Sequence, residues 1–308
     1  MLDVILHLSK YLDGAELRPD EPLKKHSGMR CGGKAALFLR PKSVEKLLLC
    51  LEALRGKPRF VLGGGQNTLF AGDFEGGVVC TLGLKGVKRC GDRLTVNAGE
   101  TLAEAAAAAQ REGLGGLEAV GTVPGTFGGG ICMNAGCFGS QISDLLTSVT
   151  VFDGKRIRTL AREDCAFFYR HSLFSEGECV IISGELSLRP APPAEIADRR
   201  LAFFRLRRQI QPREGGSLGS VFKNPPGDFA GRLIEACGFR GKRFRGVQVS
   251  EKHANFLINR SGTADDVLGL MARIRQAVSE KFGVDLEPEI VVVRAWEPAA
   301  PGNTPTPG

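Results

Sequence analysis

Nineteen residues, Gly121-Thr-Val-Pro-Gly-Thr-Phe-Gly-Gly-Gly-Ile-Cys-Met-Asn-Ala-Gly-Cys-Phe-Gly139, hold seven glycines. That composition suits no core element, because glycine loses the most freedom on folding and has no side chain to bury. A backbone of this kind lies close to something. The first such stretch along the chain, Gly63-Gly-Gly-Gln-Asn-Thr68, follows directly on an apolar run over Arg59 to Leu62 that reads as a buried strand, which makes 121–139 the second. Consecutive glycines let backbone N–H groups turn toward a phosphate that a Cβ would hold at a distance. Neither familiar nucleotide fingerprint is present: Thr68 stands where the dinucleotide pattern wants glycine, and no Gly-Lys-Ser/Thr occurs. A tight turn or a structural Ω-loop would explain either stretch alone. Two in one chain favour a large, phosphate-bearing cofactor.

A third polar stretch, Gly215 to Pro226, puts three glycines, Ser217, Ser220, Lys223 and Asn224 within twelve positions. It reads either as ligand-contacting backbone or as a polar turn with a short strand through Val221 and Phe222. Between the second and third stretches, Arg170 sits in Phe167-Phe-Tyr-Arg-His-Ser172, either with its stem packed on rings or as a fixed cation for an anionic substrate or oxyanion. Glu289 heads an apolar strand over Leu286 to Val293, where a carboxylate is exposed at the edge or held with a raised pKa.

The frame around these stretches is mixed. Residues 1 to 13 read as a short amphipathic helix, and Ala35 to Leu39 as a strand. Ser43 caps a helix carrying Val44, Leu47, Leu48 and Leu51 on one face and closed by Gly56. Strands are expected over Val78 to Leu82, Leu94 to Ala98, Ser148 to Phe152, Arg156 to Leu160 and Cys179 to Leu188, and an alanine-rich helix over Glu100 to Glu112. Pro190 to Pro193 reads as a linker, Ala194 to Gln211 as a helix whose five arginines form a solvated face with one near the cleft, and Phe229 to Cys237 as a further helix. Thr263 with Asp266 three residues on, then apolar residues at helical spacing to Val278 and Gly283, specify the clearest helix of all. Helices and short strands are mixed along the chain.

Composition narrows the partners. With 41 Lys and Arg against 34 Asp and Glu, the chain carries +7, a mild excess that suits phosphates and carboxylates. Aromatic residues at 7% leave little for a base-stacking surface, so no nucleic-acid partner is expected. Nine scattered cysteines without a CxxC pair argue against a metal site and for reduced thiols in the cytoplasm. No apolar run approaches membrane-spanning length, so no membrane insertion is expected.

Taken together, Gly63-Gly-Gly-Gln-Asn-Thr-Leu, Pro124-Gly-Thr-Phe-Gly-Gly-Gly with Met133-Asn-Ala-Gly, Tyr169-Arg-His-Ser, Gly219-Ser-Val-Phe-Lys-Asn-Pro, Gln248-Val-Ser-Glu-Lys-His-Ala-Asn-Phe and Glu287-Pro-Glu resemble the UDP-N-acetylenolpyruvoylglucosamine reductase (MurB) family. The motifs run in the family's order over about residues 26 to 293, and the chain resembles the shorter type without an extra substrate-capping insertion. The resemblance implies an α+β fold class, with a two-part FAD-binding region of the vanillyl-alcohol-oxidase (PCMH) kind at residues 1–83 and 84–192 and an α+β substrate-binding domain at 193–296; the Pro/Gly/Thr-rich stretch 297–308 reads as a disordered tail. It implies FAD as cofactor, held by Gly63, Gly64, Gly65, Gln66, Asn67 and Thr68 on one side and by Gly121, Thr122, Pro124, Gly125, Thr126, Gly129, Asn134, Ala135 and Gly136 on the other. NADPH is the implied co-substrate and a UDP-sugar the substrate, on a monomer.

The chemistry implied by the resemblance is reduction of an enolpyruvyl ether, with hydride from reduced FAD to C3 and a proton from Ser220 to C2. Arg170 and a protonated Glu289 stabilise the enolate between the two steps. Ser220 is a poor acid by itself and needs a neighbouring cation such as Lys223, or a water chain. Lys223, Asn224, Gln248 and His253 are the implied substrate contacts. Two departures from the family pattern, Phe127 in place of a smaller β-branched residue and Cys132 and Cys137 flanking Met133 to Gly136, imply altered packing around the flavin. The competing readings are another FAD-linked oxidase or dehydrogenase on the same cofactor fold, or a non-catalytic nucleotide-binding protein.

Overall fold

The computed structural model describes residues 1–177 and 179–294. The expected tail at 297–308 lies outside them. Among the described residues there are seven α-helices: α1 (Leu2–Leu8), α2 (Val44–Ala53), α3 (Leu102–Arg111), α4 (Phe127–Cys132), α5 (Pro193–Ile210), α6 (Ala230–Ala236) and α7 (Ala264–Phe282). Their ends follow the side-chain chemistry. Ser43 accepts from Lys46 N at the start of α2, while Thr101 with Glu104 and Thr263 with Asp266 form reciprocal capping boxes on α3 and α7. Gly283 takes the left-handed conformation that stops α7.

Among the described residues there are three sheets of three or more strands, beside three two-stranded ladders. In the first, Leu17–Pro22 pairs antiparallel with Lys34–Leu39, which pairs parallel with Phe74–Cys80, which in turn pairs parallel with Arg59–Leu62. α2 crosses between two of these strands and buries Leu47, Cys50 and Leu51. The second sheet has five strands, ordered Ile157–Ala161, Leu146–Phe152, Val180–Ser187, Arg93–Asn97, Val87–Cys90, all antiparallel. α3 and α4 pack on it around Leu94, Val96, Leu102, Phe127, Ile131 and Val149. A smaller antiparallel sheet of Arg243–Phe244, Val247–Val249 and Leu257–Asn259 forms the third, covered by α6 and α7.

The strand expected over Val78 to Leu82 ends at Cys80, and residues 81–83 form a tight turn instead. Gly83 lies where a Cβ would meet the Pro41 carbonyl at 2.2 Å, so the chain turns against that neighbour and leaves the ladder. The expected linker before α5 is tied down: Arg189–Pro190 pairs with Leu114–Gly115, and Ala191 N donates to Gly113 O at 2.9 Å. Of the expected terminal strand only Val291–Val293 forms a ladder, and it pairs parallel with Thr68–Phe70, immediately after the first glycine stretch. Met29, Cys31 and Leu69 likewise join the core under α6 and α7. Residues 29–31 and 291–293 therefore both pack beside residues 68–70.

Candidate active site

The first glycine stretch leaves the strand Arg59–Leu62 and is clamped from two sides. Gly65 (φ +65°) is where a Cβ would fall 1.9 Å from the His26 carbonyl, and Gly28 N donates to Gly65 O at 2.8 Å. Ser27 Oγ donates to Thr68 O at 2.8 Å. On the other side, a Cβ on Gly63 would meet Thr126 Oγ1 at 2.6 Å, and one on Gly64 would lie 3.4 Å from Thr126 N. The two glycine stretches thus face each other.

What they present is backbone N–H groups. Among the described residues, the N–H groups of Gly64, Gly65, Gln66 and Asn67 donate to nothing, nor do those of Gly125 and Thr126, although Gly65 and Thr126 are buried. Buried backbone donors without a partner are rare in folded proteins. A row of them between two loops stripped of side chains is the arrangement that receives a diphosphate. A cavity of about 120 Å³ opens beside it, lined by Lys25, His26, Ser27, Gly63, Gly64 and Gln66 among others. The cradle fits the pyrophosphate of a flavin dinucleotide.

The second stretch is not an irregular loop throughout. Thr126 Oγ1 accepts from Gly129 N at 3.2 Å and caps α4, a helix of composition that intrinsic propensity disfavours. Close packing forms it: Cβ atoms on Gly128 and Gly130 would fall 2.8 Å from Ala98 Cβ and 3.1 Å from Leu102 Cδ1. Phe127 is fully buried, and Gly184 beneath it leaves the room, since a Cβ there would sit 3.1 Å from the Phe127 ring. Gly121 abuts Ala106 in the same way. Thr122 Oγ1 accepts from Arg207 Nε at 3.0 Å, so one arginine of α5 does reach this stretch. Arg199 instead pairs with the buried Glu118 at 2.8 Å.

Arg170 occupies a two-residue turn between Phe168 and His171, whose N–H and C=O groups exchange bonds at 3.2 Å, and its φ is +53°. A non-glycine residue in that conformation needs holding. Asn134 holds it: buried, with φ +42°, it donates through Nδ2 to Phe168 O and to Gln141 Oε1, each at 3.1 Å, and accepts at Oδ1 from Ser143 N at 3.3 Å. Arg170 itself donates through Nη2 to Gly136 O and through Nε to Glu289 Oε1, both at 2.9 Å. Tyr169 lies under the guanidinium at 5.1 Å.

Glu289 arrives from the far end of the chain. Its N–H donates to Val221 O at 2.9 Å, and its carbonyl accepts from Asn67 Nδ2 at 3.0 Å. Burial pushes the Glu289 carboxyl above the usual range, although the charge and hydrogen bond of Arg170 and the charge of Lys223 pull it the other way. Its neighbour Val221 follows Ser220, which forms a β-bridge with Phe256 after Gly219 turns the chain at φ +80°. Asn255 locks this segment with bonds to Phe222 N at 3.0 Å and Phe222 O at 2.8 Å. Ser220, Arg170 and Glu289 are brought into one region.

The remaining expected residues are placed less uniformly. Lys223 is close enough to Glu289 to lower its pKa, yet its ammonium pairs with Glu287 at 2.5 Å rather than standing free beside Ser220. Asn224 Oδ1 accepts from Ala230 N at 3.0 Å at the start of α6, and its own N–H faces Tyr169 Oη at 3.5 Å. Gln248 is buried and engaged with Gly241, Glu251 and Arg260 at 3.2–3.3 Å. His253 Nδ1 accepts from Asn255 N at 3.3 Å, which leaves the proton on Nε2, and burial lowers its pKa. In the sequence Asn255 reads only as a polar group set before an apolar strand, with no role assigned; the structure gives it one in holding Phe222.

Comparison with known proteins is consistent along the chain. A family model described as an FAD binding domain matches residues 35–158, and one described as the C-terminal domain of UDP-N-acetylenolpyruvoylglucosamine reductase matches residues 211–293. The reductase of that name from Moorella thermoacetica is 44% identical over 280 residues, 89% of this chain and 92% of that protein. Its counterpart in Clostridioides difficile is 36% identical over 297 residues, 94% and 98% of the two chains. The crystal structure of the reductase from Thermus caldophilus superposes with a TM-score of 0.74 at 33% identity, over 90% of this chain and 98% of that one.

Proposed function

The chain belongs to the UDP-N-acetylenolpyruvoylglucosamine reductase family, and from that premise we propose that it reduces UDP-N-acetylenolpyruvoylglucosamine to UDP-N-acetylmuramate for peptidoglycan synthesis, with FAD as cofactor and NADPH as co-substrate. The observation that carries the reading is Glu289: a buried carboxyl on Arg170, linked through its own backbone to the first glycine stretch and to the segment of Ser220. Residues 1–83 and 84–192 hold the flavin in this account, and residues 193–296 hold the substrate. Every residue in it lies on one chain, so a monomer suffices. No helix among the described residues is long and apolar enough to cross a membrane, which suits an enzyme that meets its substrate in the cytoplasm.

The flavin, held by the two glycine stretches, would supply the redox chemistry that passes hydride from NADPH to C3 of the enolpyruvyl ether. The protein does the rest. The N–H groups of residues 64–67 and 125–126 bind the cofactor's pyrophosphate, with Gly63, Thr68, Gly121, Thr122, Pro124, Gly129, Ala135 and Gly136 shaping its seat. Arg170 and protonated Glu289 meet the negative charge that develops over C2 and the substrate carboxylate. Ser220 donates the proton to C2, and Lys223 and Asn224 take the diphosphate side of the sugar nucleotide. Gln248 contributes through Arg260 and Glu251, which it holds, and His253 through its Nε2–H.

The test is anaerobic. NADPH added to the FAD-loaded protein should bleach the flavin, and the enolpyruvyl substrate should then restore its colour. Bleaching without restoration by that substrate would leave an FAD-linked dehydrogenase of another specificity, and a protein that takes up no FAD would remove the flavin reading altogether.

A further inference from the structure

Two asparagines stand in the glycine stretches, Asn67 in the first and Asn134 in the second, and both point their amides away from the cradle. Asn67 Nδ2 donates to Glu289 O at 3.0 Å, and Asn67 O accepts from Val291 N at 2.8 Å, so this residue brackets Glu289 and ties it to the ladder of Val291–Val293 with Thr68–Phe70. Asn134 Nδ2 donates to Phe168 O at the base of the Arg170 turn, and two residues further on Gly136 O receives Arg170 Nη2. Each stretch therefore holds one member of the Arg170–Glu289 pair through side chain or carbonyl, while the N–H groups of residues 64–67 and 125–126 have no partner among the described residues.

We propose that Asn67 and Asn134 are positioning residues for the Arg170–Glu289 pair, so that the loops that seat the flavin also set the distance between the cation and the acid. The inference rests on the function proposed above for its meaning in catalysis, but not for its test. A side-chain amide bonded to a backbone carbonyl restrains the segment that carries it, and a misplacement of 1 Å in a reacting site is worth on the order of 100-fold in rate. The charged groups facing Glu289 are Arg170 and Lys223, the latter paired with Glu287.

The two substitutions should act in opposite senses on the same group. In Asn134→Gly, which keeps a residue at ease with φ +42°, Arg170 is loosened while Glu289 stays buried, and the carboxyl loses its main cation. In Asn67→Ala, Glu289 itself is loosened and gains water. Infrared titration of the FAD-loaded protein without substrate, with the Glu289 carboxyl band assigned by its loss in Glu289→Gln, should show the midpoint displaced upward in Asn134→Gly and downward in Asn67→Ala. Flavin affinity should stay within about threefold of the parent in both, since the anion is held by N–H groups. Midpoints that do not move, or that move in the same sense, overturn the proposal, as does a collapse of flavin affinity in both variants. In the substrate half-reaction, the same variants should slow reoxidation roughly 10- to 100-fold while leaving reduction by NADPH near the parent rate. Failure of the parent protein to be reoxidised would instead strike the function proposed above and leave the infrared result to stand or fall separately.

Discussion

In residues 63–68 the glycines leave the chain open, with four consecutive N–H groups, Gly64 to Asn67, that donate to nothing in the described protein. In residues 125–135 only Gly125 and Thr126 are left in that state among the described residues, and the N–H groups of Phe127 to Gly130 and of Met133 to Ala135 are all bonded. The first stretch uses missing side chains to free its donors. The second uses them mainly to bring α4 against Ala98 and Leu102. Similar composition therefore leaves donors open in one place and serves packing in the other, and the two stretches meet where Gly63, Gly64 and Gln66 lie against Gly125, Thr126 and Gly129.

That difference can be broken by substitution. Gly65→Ala should have the largest effect, because a Cβ would fall 1.9 Å from the His26 carbonyl at a φ of +65°. A loss of about 3 kcal/mol or more in unfolding free energy is expected together with lost flavin affinity, seen by denaturation and by flavin fluorescence. Gly128→Ala, 2.8 Å from Ala98 Cβ, should destabilise by about 1–3 kcal/mol through overpacking, with flavin affinity largely kept in the protein that remains folded. Equal loss of flavin affinity in the two variants would erase the distinction. Gly139→Ala has φ +76° and nothing within 4 Å of the new Cβ, so strain alone, about 1 kcal/mol, is expected.

The smallest effect concerns the pair that both stretches hold. Because the folded-state pKa of Glu289 is raised above its unfolded value, the stability tied to its proton is present below the unfolded pKa and lost as pH rises through the folded pKa. Glu289→Gln should match the parent in acid and become modestly more stable above that range, in melts followed across pH. Greater stability of the parent at high pH would mean that Arg170 outweighs burial.

Much of this was legible in the chain. Capping residues placed α2 and α7, an alanine-rich run placed α3, and the density of glycines and polar side chains at 215–226 pointed to ligand contact. Three things were hidden, each for a non-local reason. α4 could not be read from glycines, since its stability lies in what packs on it. The parallel pairing of Val291–Val293 with Thr68–Phe70 joins positions over 200 residues apart, and no local pattern records it. Asn67 and Asn134 looked like cofactor contacts, and only the fold shows their amides turned toward Glu289 and Phe168. Lys223 likewise promised a free cation for Ser220, whereas Glu287 occupies it.

The central claim is that Ser220 delivers the proton that completes reduction, beside a pair assembled from both glycine stretches. Stopped-flow measurement of the two half-reactions in Ser220→Ala addresses it most directly. Flavin reduction by NADPH should remain near the parent rate, and reoxidation by the enolpyruvyl substrate should slow by about 100-fold or more, as loss of a general acid requires. Equal slowing of both half-reactions, or unchanged reoxidation, would contradict it.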